Sequence, residues 1–167
     1  MQQERQRGNA ESFSRKSGTL MSKQFIPIGE VKSLKIQVVH YKDLINENRE
    51  QAIRFEYEYY DSYLNQTESK LGSLDKDELE GLIKSIHMMR TVVFNSFPEH
   101  YTEVSFVSRT GFKAGCYSMP GDWKFYLQLD QYDDRSYVWL NKEDSATILN
   151  ILNQSNERLL MLGNNID

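Results

Sequence analysis

Two stretches of the chain carry the same start signal, and this doubling restricts the fold more tightly than any single residue. Gly72-Ser73-Leu74-Asp75-Lys76-Asp77-Glu78-Leu79, continuing to Leu82, Ile83 and Ile86, aligns with Val138-Trp139-Leu140-Asn141-Lys142-Glu143-Asp144-Ser145, continuing to Ile148, Leu149 and Leu152. In each, a leucine closes a strand-like run, an Asp or Asn able to cap a helix follows, and an acidic residue comes three positions after the cap. Self-similarity of this kind marks two copies of one supersecondary unit.

The pattern between the two signals gives the unit its content. Residues 19–28, 34–41 and 52–60 are short β-rich runs, and in the third Ile53, Phe55, Tyr57 and Tyr59 alternate with Arg54, Glu56 and Glu58, as in a sheet with one wet side. After a polar loop over 65–69, a short strand is expected to end at Leu74. A helix follows over about 77–94, with Leu79, Leu82, Ile83, Ile86, Met89 and Val93 in one apolar stripe. The second half repeats the plan with strands over 101–108, 112–118, 123–129 and 136–140, then a helix from Lys142 to about Leu162. Its stripe is Ser145, Ile148, Leu149, Leu152 and Leu159. The fold class expected is therefore α+β, two tandem ββββα repeats forming antiparallel sheets with two long helices in one pseudo-twofold domain. Two such units facing each other bury what one alone leaves open. Repeat one covers about 18–97 and repeat two about 98–163. Residues 1–17, polar and basic with Phe13 as their one large apolar side chain, read as a disordered arm.

Composition narrows the functional classes. The 167 residues suffice for a core without disulfide or metal staples, and the net charge is −4. Within the first 23 residues Arg5, Arg7, Arg15, Lys16 and Lys23 outweigh Glu4 and Glu11, giving +3 there and leaving −7 for the remainder. An acidic body repels phosphate backbones on average, so a nucleic-acid role requires a local basic face or the arm. Cys116 is the only cysteine, which rules out an intramolecular disulfide and a cysteine zinc cage. No apolar run approaches the roughly 20 residues of a spanning helix. The chain reads as soluble, either cytoplasmic or exported with a leader removed.

Ser17-Gly18-Thr19-Leu20, Gly72-Ser73-Leu74-Asp75, Tyr101-Thr102-Glu103-Val104 and Trp123 after a tight turn resemble the pattern of an uncharacterised family of small bacterial proteins, over roughly residues 17–160. That resemblance implies a frequently exported protein and carries no activity. The doubled ββββα order is also topologically similar to the Whirly, PUR and PC4-type single-stranded nucleic-acid binders, although the Lys-rich signature of Whirly proteins has no equivalent here.

Among candidate sites, the strongest is the outer face of the second sheet. With Phe112, Ala114 and Cys116 inward, Lys113 and Tyr117 face out; with Trp123, Phe125, Leu127 and Leu129 inward, Lys124 and Tyr126 do. Interleaved cations and rings are what single-strand binding uses. A solvated sheet carries Lys and Tyr without any ligand as well. Phe55, Tyr57, Tyr59, Tyr60 and Tyr63 form a second aromatic group, read as core and cross-strand packing before a ligand groove, and Trp123 and Trp139 are read as packing residues too. His40, His87 and His100 are scattered, and only His100 lies near carboxylates, Glu99 and Glu103. No phosphate loop, dinucleotide fingerprint or nucleophile elbow occurs. Cys116 reads as a small buried hydrophobe, and Asp75, Asp77 and Glu78 as helix-capping groups.

These readings lead to a non-enzymatic binding or scaffolding module, without cofactor or metal, that recognises a macromolecular partner through an exposed sheet face or edge. Lys113, Tyr117, Lys124 and Tyr126 are its contact residues. The alternative is a single-stranded nucleic-acid binder, and the third reading an enzyme with a pocket around His100. Exposed sheet edges add the expectation of a homodimer.

Overall fold

The computed structural model describes residues 6–164 and confirms the doubled architecture. Strands β1 (Met21–Val31), β2 (Leu34–Asp43), β3 (Arg49–Asp61) and β4 (Gln66–Asp75) form one antiparallel meander in chain order. Strands β5 (Glu103–Val107), β6 (Lys113–Met119), β7 (Asp122–Gln128) and β8 (Tyr137–Leu140) form the other. Helix α2 (Lys76–Thr91) follows the first sheet and α3 (Lys142–Asn164) the second.

Local chemistry explains the boundaries. The β1–β2 hairpin turns through Lys32 and Ser33, both at positive φ (44° and 64°), the geometry that matches strand twist in a two-residue turn. β4 is longer than its sequence suggests. Its polar first half, Gln66 to Ser69, pairs with Asp61 to Glu58 on β3, because backbone pairing with a long neighbour overrides the low strand propensity of those residues. α3 opens on a reciprocal cap: Asp144 N–H donates to Asn141 Oδ1 (2.8 Å) and Asn141 N–H donates to Asp144 Oδ2 (2.9 Å).

A single apolar cluster spans both repeats. Leu79, Leu82, Ile86 and Met89 of α2 and Ile148, Ile151 and Leu152 of α3 join Ile36, Ile53, Phe55, Phe125 and Leu127 from the two sheets. The Phe55 and Phe112 rings stack with centroids 4.3 Å apart, linking sheet one to the entrance of β6. Gly72 of β4 lies so close to the second half that a Cβ there would sit 2.9 Å from the Leu129 carbonyl oxygen. Backbone thus meets backbone where the repeats join.

The N-terminal expectation requires correction. Arg5 and its neighbours in 1–5 lie outside the described residues. Within 6–17, Asn9–Ser14 forms a short helix, α1, with Ala10 only 1% exposed against the outer side of sheet one. Its anchor is Asp75, whose carboxylate accepts hydrogen bonds from Asn9 N–H (2.8 Å) and Ala10 N–H (3.0 Å). Asp75 therefore makes no side-chain cap on α2, the helix it precedes. Of the apparent capping pair of the first repeat, Asp75 caps a different helix, one far away in sequence, and Glu78 accepts from the Arg109 backbone N–H (3.0 Å).

Candidate functional site

The second sheet directs one side chain in two away from the core, and its register decides which of these meet. Tyr117 pairs with Lys124 and with Glu103; Gly115 pairs with Tyr126 and Ser105; Tyr126 pairs with Trp139; Lys113 pairs with Gln128, which pairs with Tyr137. The inward set, Phe112, Ala114, Cys116, Trp123, Phe125, Leu127 and Leu129, is buried throughout. Lys113, Tyr117, Lys124 and Tyr126 accordingly share the outer face, as the alternation predicts.

The rings on that face touch. Tyr126 lies 5.5 Å from Tyr137, 5.8 Å from Trp139 and 6.5 Å from Tyr117, while Tyr101 extends the group to Tyr117 at 6.4 Å. Tyr137 and Trp139 stack with centroids 4.9 Å apart and planes 7° from parallel. Tyr126 fits flat because it crosses Gly115, where a Cβ would meet its Oη at 2.6 Å. It is only 7% exposed, and burial pushes its phenol up to about 12. Trp139, by contrast, is 51% exposed and Tyr101 68%. The centre of the face is packed and its margins are open, so indole and phenol surface stays accessible above the ring contacts beneath.

Its charge is mixed. Lys113 Nζ stands 5.9 Å over the Tyr126 ring. Tyr101 Oη donates to a Glu103 carboxylate oxygen at 2.8 Å, which raises the Tyr101 phenol and sets an anion in the same cross-strand row as Tyr117 and Lys124. Trp139 was the residue whose exposure the sequence concealed. Period-2 placement assigns it to the outer face, but ring type alone suggested packing. Trp123 does pack: it is 5% exposed and its Nε1–H donates to the Ser96 carbonyl at 2.9 Å.

Elsewhere the candidates separate. Phe55 is in the core, whereas Tyr59, Tyr60 and Tyr63 border an open recess of about 360 Å³ with Arg135, so the five rings do not line one groove. His100 lines a recess of about 400 Å³ with Glu99, Ser118 and Asp122. Asp122 is paired with Lys142 (2.5 Å), and Glu103 is outside that lining. Burial drives the Cys116 thiol up to about 11, which keeps it protonated and unreactive at neutral pH. Asp75, Asp77 and Glu78 converge, and Arg109 lies among them, at 2.7 Å from Asp75 and 2.6 Å from Asp77. That guanidinium supplies the positive charge the carboxylates require, and nothing in the sequence pattern singled it out.

Comparison with known proteins returned no match among family models, curated proteins or solved structures. No helix among the described residues is long and apolar enough to cross a membrane.

Proposed function

We propose that the chain is a non-enzymatic binding module that recognises a protein partner through the outer face of the second sheet, working as a homodimer. The observation that carries this reading is Trp139, half-exposed, stacked on Tyr137 and continuous with Tyr126 and Tyr117. Large rings held by their neighbours contribute contact area at low entropic cost, the property that makes Trp and Tyr dominant in interfaces. Lys113 and Lys124 at either side favour a partner segment that combines apolar side chains with carboxylates.

Single-stranded nucleic acid is the second reading, supported by Lys113 above the Tyr126 ring and by the exposed indole. Against it stand Glu103 on the same face and the acidic body. Fluorescence anisotropy of labelled single-stranded DNA and RNA, titrated at low and near-physiological salt, separates the two. Binding that weakens steeply with salt and vanishes in Lys124→Glu and Trp139→Ala variants supports nucleic acid. Absence of binding even at low salt retires it. Indole-emission titration with acidic, aromatic-rich peptides then tests the protein-partner reading, which fails if emission and affinity are the same in Trp139→Ala and wild type.

A further inference from the structure

We infer that β5 is the dimer edge, pairing with β5 of a second copy about a twofold axis through Ser105; this rests on the homodimer reading above and assigns its strand and register. The four sheet edges are unequal. β1 carries Pro27 and a register shift between Pro27 and Gly29, which disrupt regular pairing. β4 already has its Ser73 carbonyl occupied by Thr110 Oγ1–H (2.8 Å), and the 129–133 loop lies against it through Lys70–Asp133 (2.8 Å) and Gly72–Leu129. β8 is only 4 residues long. β5, with neither proline nor bulge, bonds among the described residues to β6 alone.

Hydrogen-bond parity fixes what β5 offers. Ser118 N–H donates to the Thr102 carbonyl (2.9 Å) and Ser108 N–H to the Phe112 carbonyl (2.8 Å), so the even-numbered residues of this strand face β6. By the alternation of an antiparallel ladder, Glu103, Ser105 and Val107 direct N–H and C=O to the free edge. An antiparallel copy centred on Ser105 sets Ser105 against Ser105 and Glu103 against Val107, and every one of those free groups then gains a partner.

Side chains fit the same register. On the inner side Val104 meets Phe106 of the second copy, beside the apolar groove lined by Met88, Val93 and Phe106. On the outer side Val107 is the cross-strand neighbour of Lys113. Glu103 of one copy therefore shares a row with Lys113 of the other, with Val107 between them, and the twofold axis repeats this row of opposite charges. This charge complementarity favours a second copy over an unrelated strand. The pairing joins two four-stranded sheets into one and sets the two aromatic faces side by side.

The test is sedimentation velocity over a concentration series on wild type and on Ser105→Pro. Proline at 105 removes an N–H that β6 does not use, so the fold persists, as a matching circular dichroism spectrum and melt verify. Wild type is expected to sediment at twice 19.6 kDa and Ser105→Pro as a monomer, with the dissociation constant raised by more than about tenfold. Glu103→Lys is expected to weaken the dimer and Glu103→Lys with Lys113→Glu to restore it. A wild type that stays monomeric at about 100 μM, or a dimer that tolerates Ser105→Pro, overturns the assignment. Ser105→Pro retains Trp139 and its neighbours, so partner binding by the monomer is measured separately and its failure is not confused with this one.

Discussion

Arg109 Nη1 lies 2.7 Å from Asp75 Oδ2, and the same carboxylate holds the first two backbone N–H groups of α1. One carboxylate, 3% exposed, therefore joins the N-terminal helix, the end of sheet one and the loop that enters β6. Arg109 also reaches Asp77, and its backbone N–H donates to Glu78 at 3.0 Å. The cluster is a structural junction built from charge-assisted hydrogen bonds.

Removing the junction's acceptor should release α1 while leaving the core intact. Asp75→Ala is expected to cost about 1–2 kcal/mol, the usual loss for a helix cap. Trypsin cleavage after Arg15 and Lys16 should accelerate markedly, because the helix before them loses its anchor. Asp75→Asn, which keeps one acceptor oxygen, should fall between. Equal cleavage rates in all three proteins would show that α1 is held by its apolar contacts alone.

Much of this molecule was legible in the residues because its signals are local. Alternation in β6 and β7 put Lys113, Tyr117, Lys124 and Tyr126 on one face, and helical spacing gave the stripes of α2 and α3. What the sequence concealed is long-range. Asp75 followed by Glu78 has the form of a capping box, yet Asp75 bonds residues 65 and 66 positions away. Gln66 to Ser69 reads as a loop until β3 is there to pair with it. Trp139 has the same ring as Trp123 and the same strand context; only the opposite parity, weighed against the habit of burying indoles, distinguishes them.

The two repeats should unfold together, because Phe55 and Phe112 stack across their junction. Both are fully buried, so Phe55→Ala or Phe112→Ala should each cost about 3–5 kcal/mol in urea denaturation. The double variant should cost less than the sum, since each single change already opens the shared site. Additive losses would mean that the rings stabilise their own repeats independently.

His40 gives the fold a pH dependence near neutrality. Lys76 Nζ donates to Gln51 Oε1 at 3.2 Å, which orients the Gln51 amide so that its Nε2 donates to His40 Nδ1 at 3.0 Å. Nδ1 must accept, so the ring must be neutral. Burial, with Arg49, Lys42 and Lys76 nearby, holds the imidazole below its ordinary value. A lowered histidine pKa makes the unfolded chain the better proton binder, so the contribution is fully present above about pH 6.5, starts to decline below it, and is lost as the pH falls through the lower folded value. Melting temperatures of wild type should drop between pH 7.5 and 5.5 by more than those of His40→Asn. Identical slopes would exclude the linkage.

Gly115 tests whether the aromatic face is a coupled unit. An added Cβ meets Tyr126 Oη at 2.6 Å and the Val104 carbonyl oxygen at 2.8 Å. The phenol can swing aside but the β5 backbone cannot, so Gly115→Ala should cost about 1–3 kcal/mol and lift Tyr126 from the sheet. Because Tyr126 lies 5.8 Å from Trp139 and 6.5 Å from Tyr117, moving it removes the floor beneath the exposed indole. Trp139 emission should shift and partner affinity fall, although the substituted residue is itself buried. Tyr126→Phe in the Gly115→Ala background should recover only part of the stability, because it removes the Oη contact but keeps ring Cζ at 2.8 Å and the Val104 carbonyl oxygen at 2.8 Å. If Gly115→Ala binds and fluoresces as wild type does, each ring acts alone, and recognition would rest on Trp139 without the cluster that supports it.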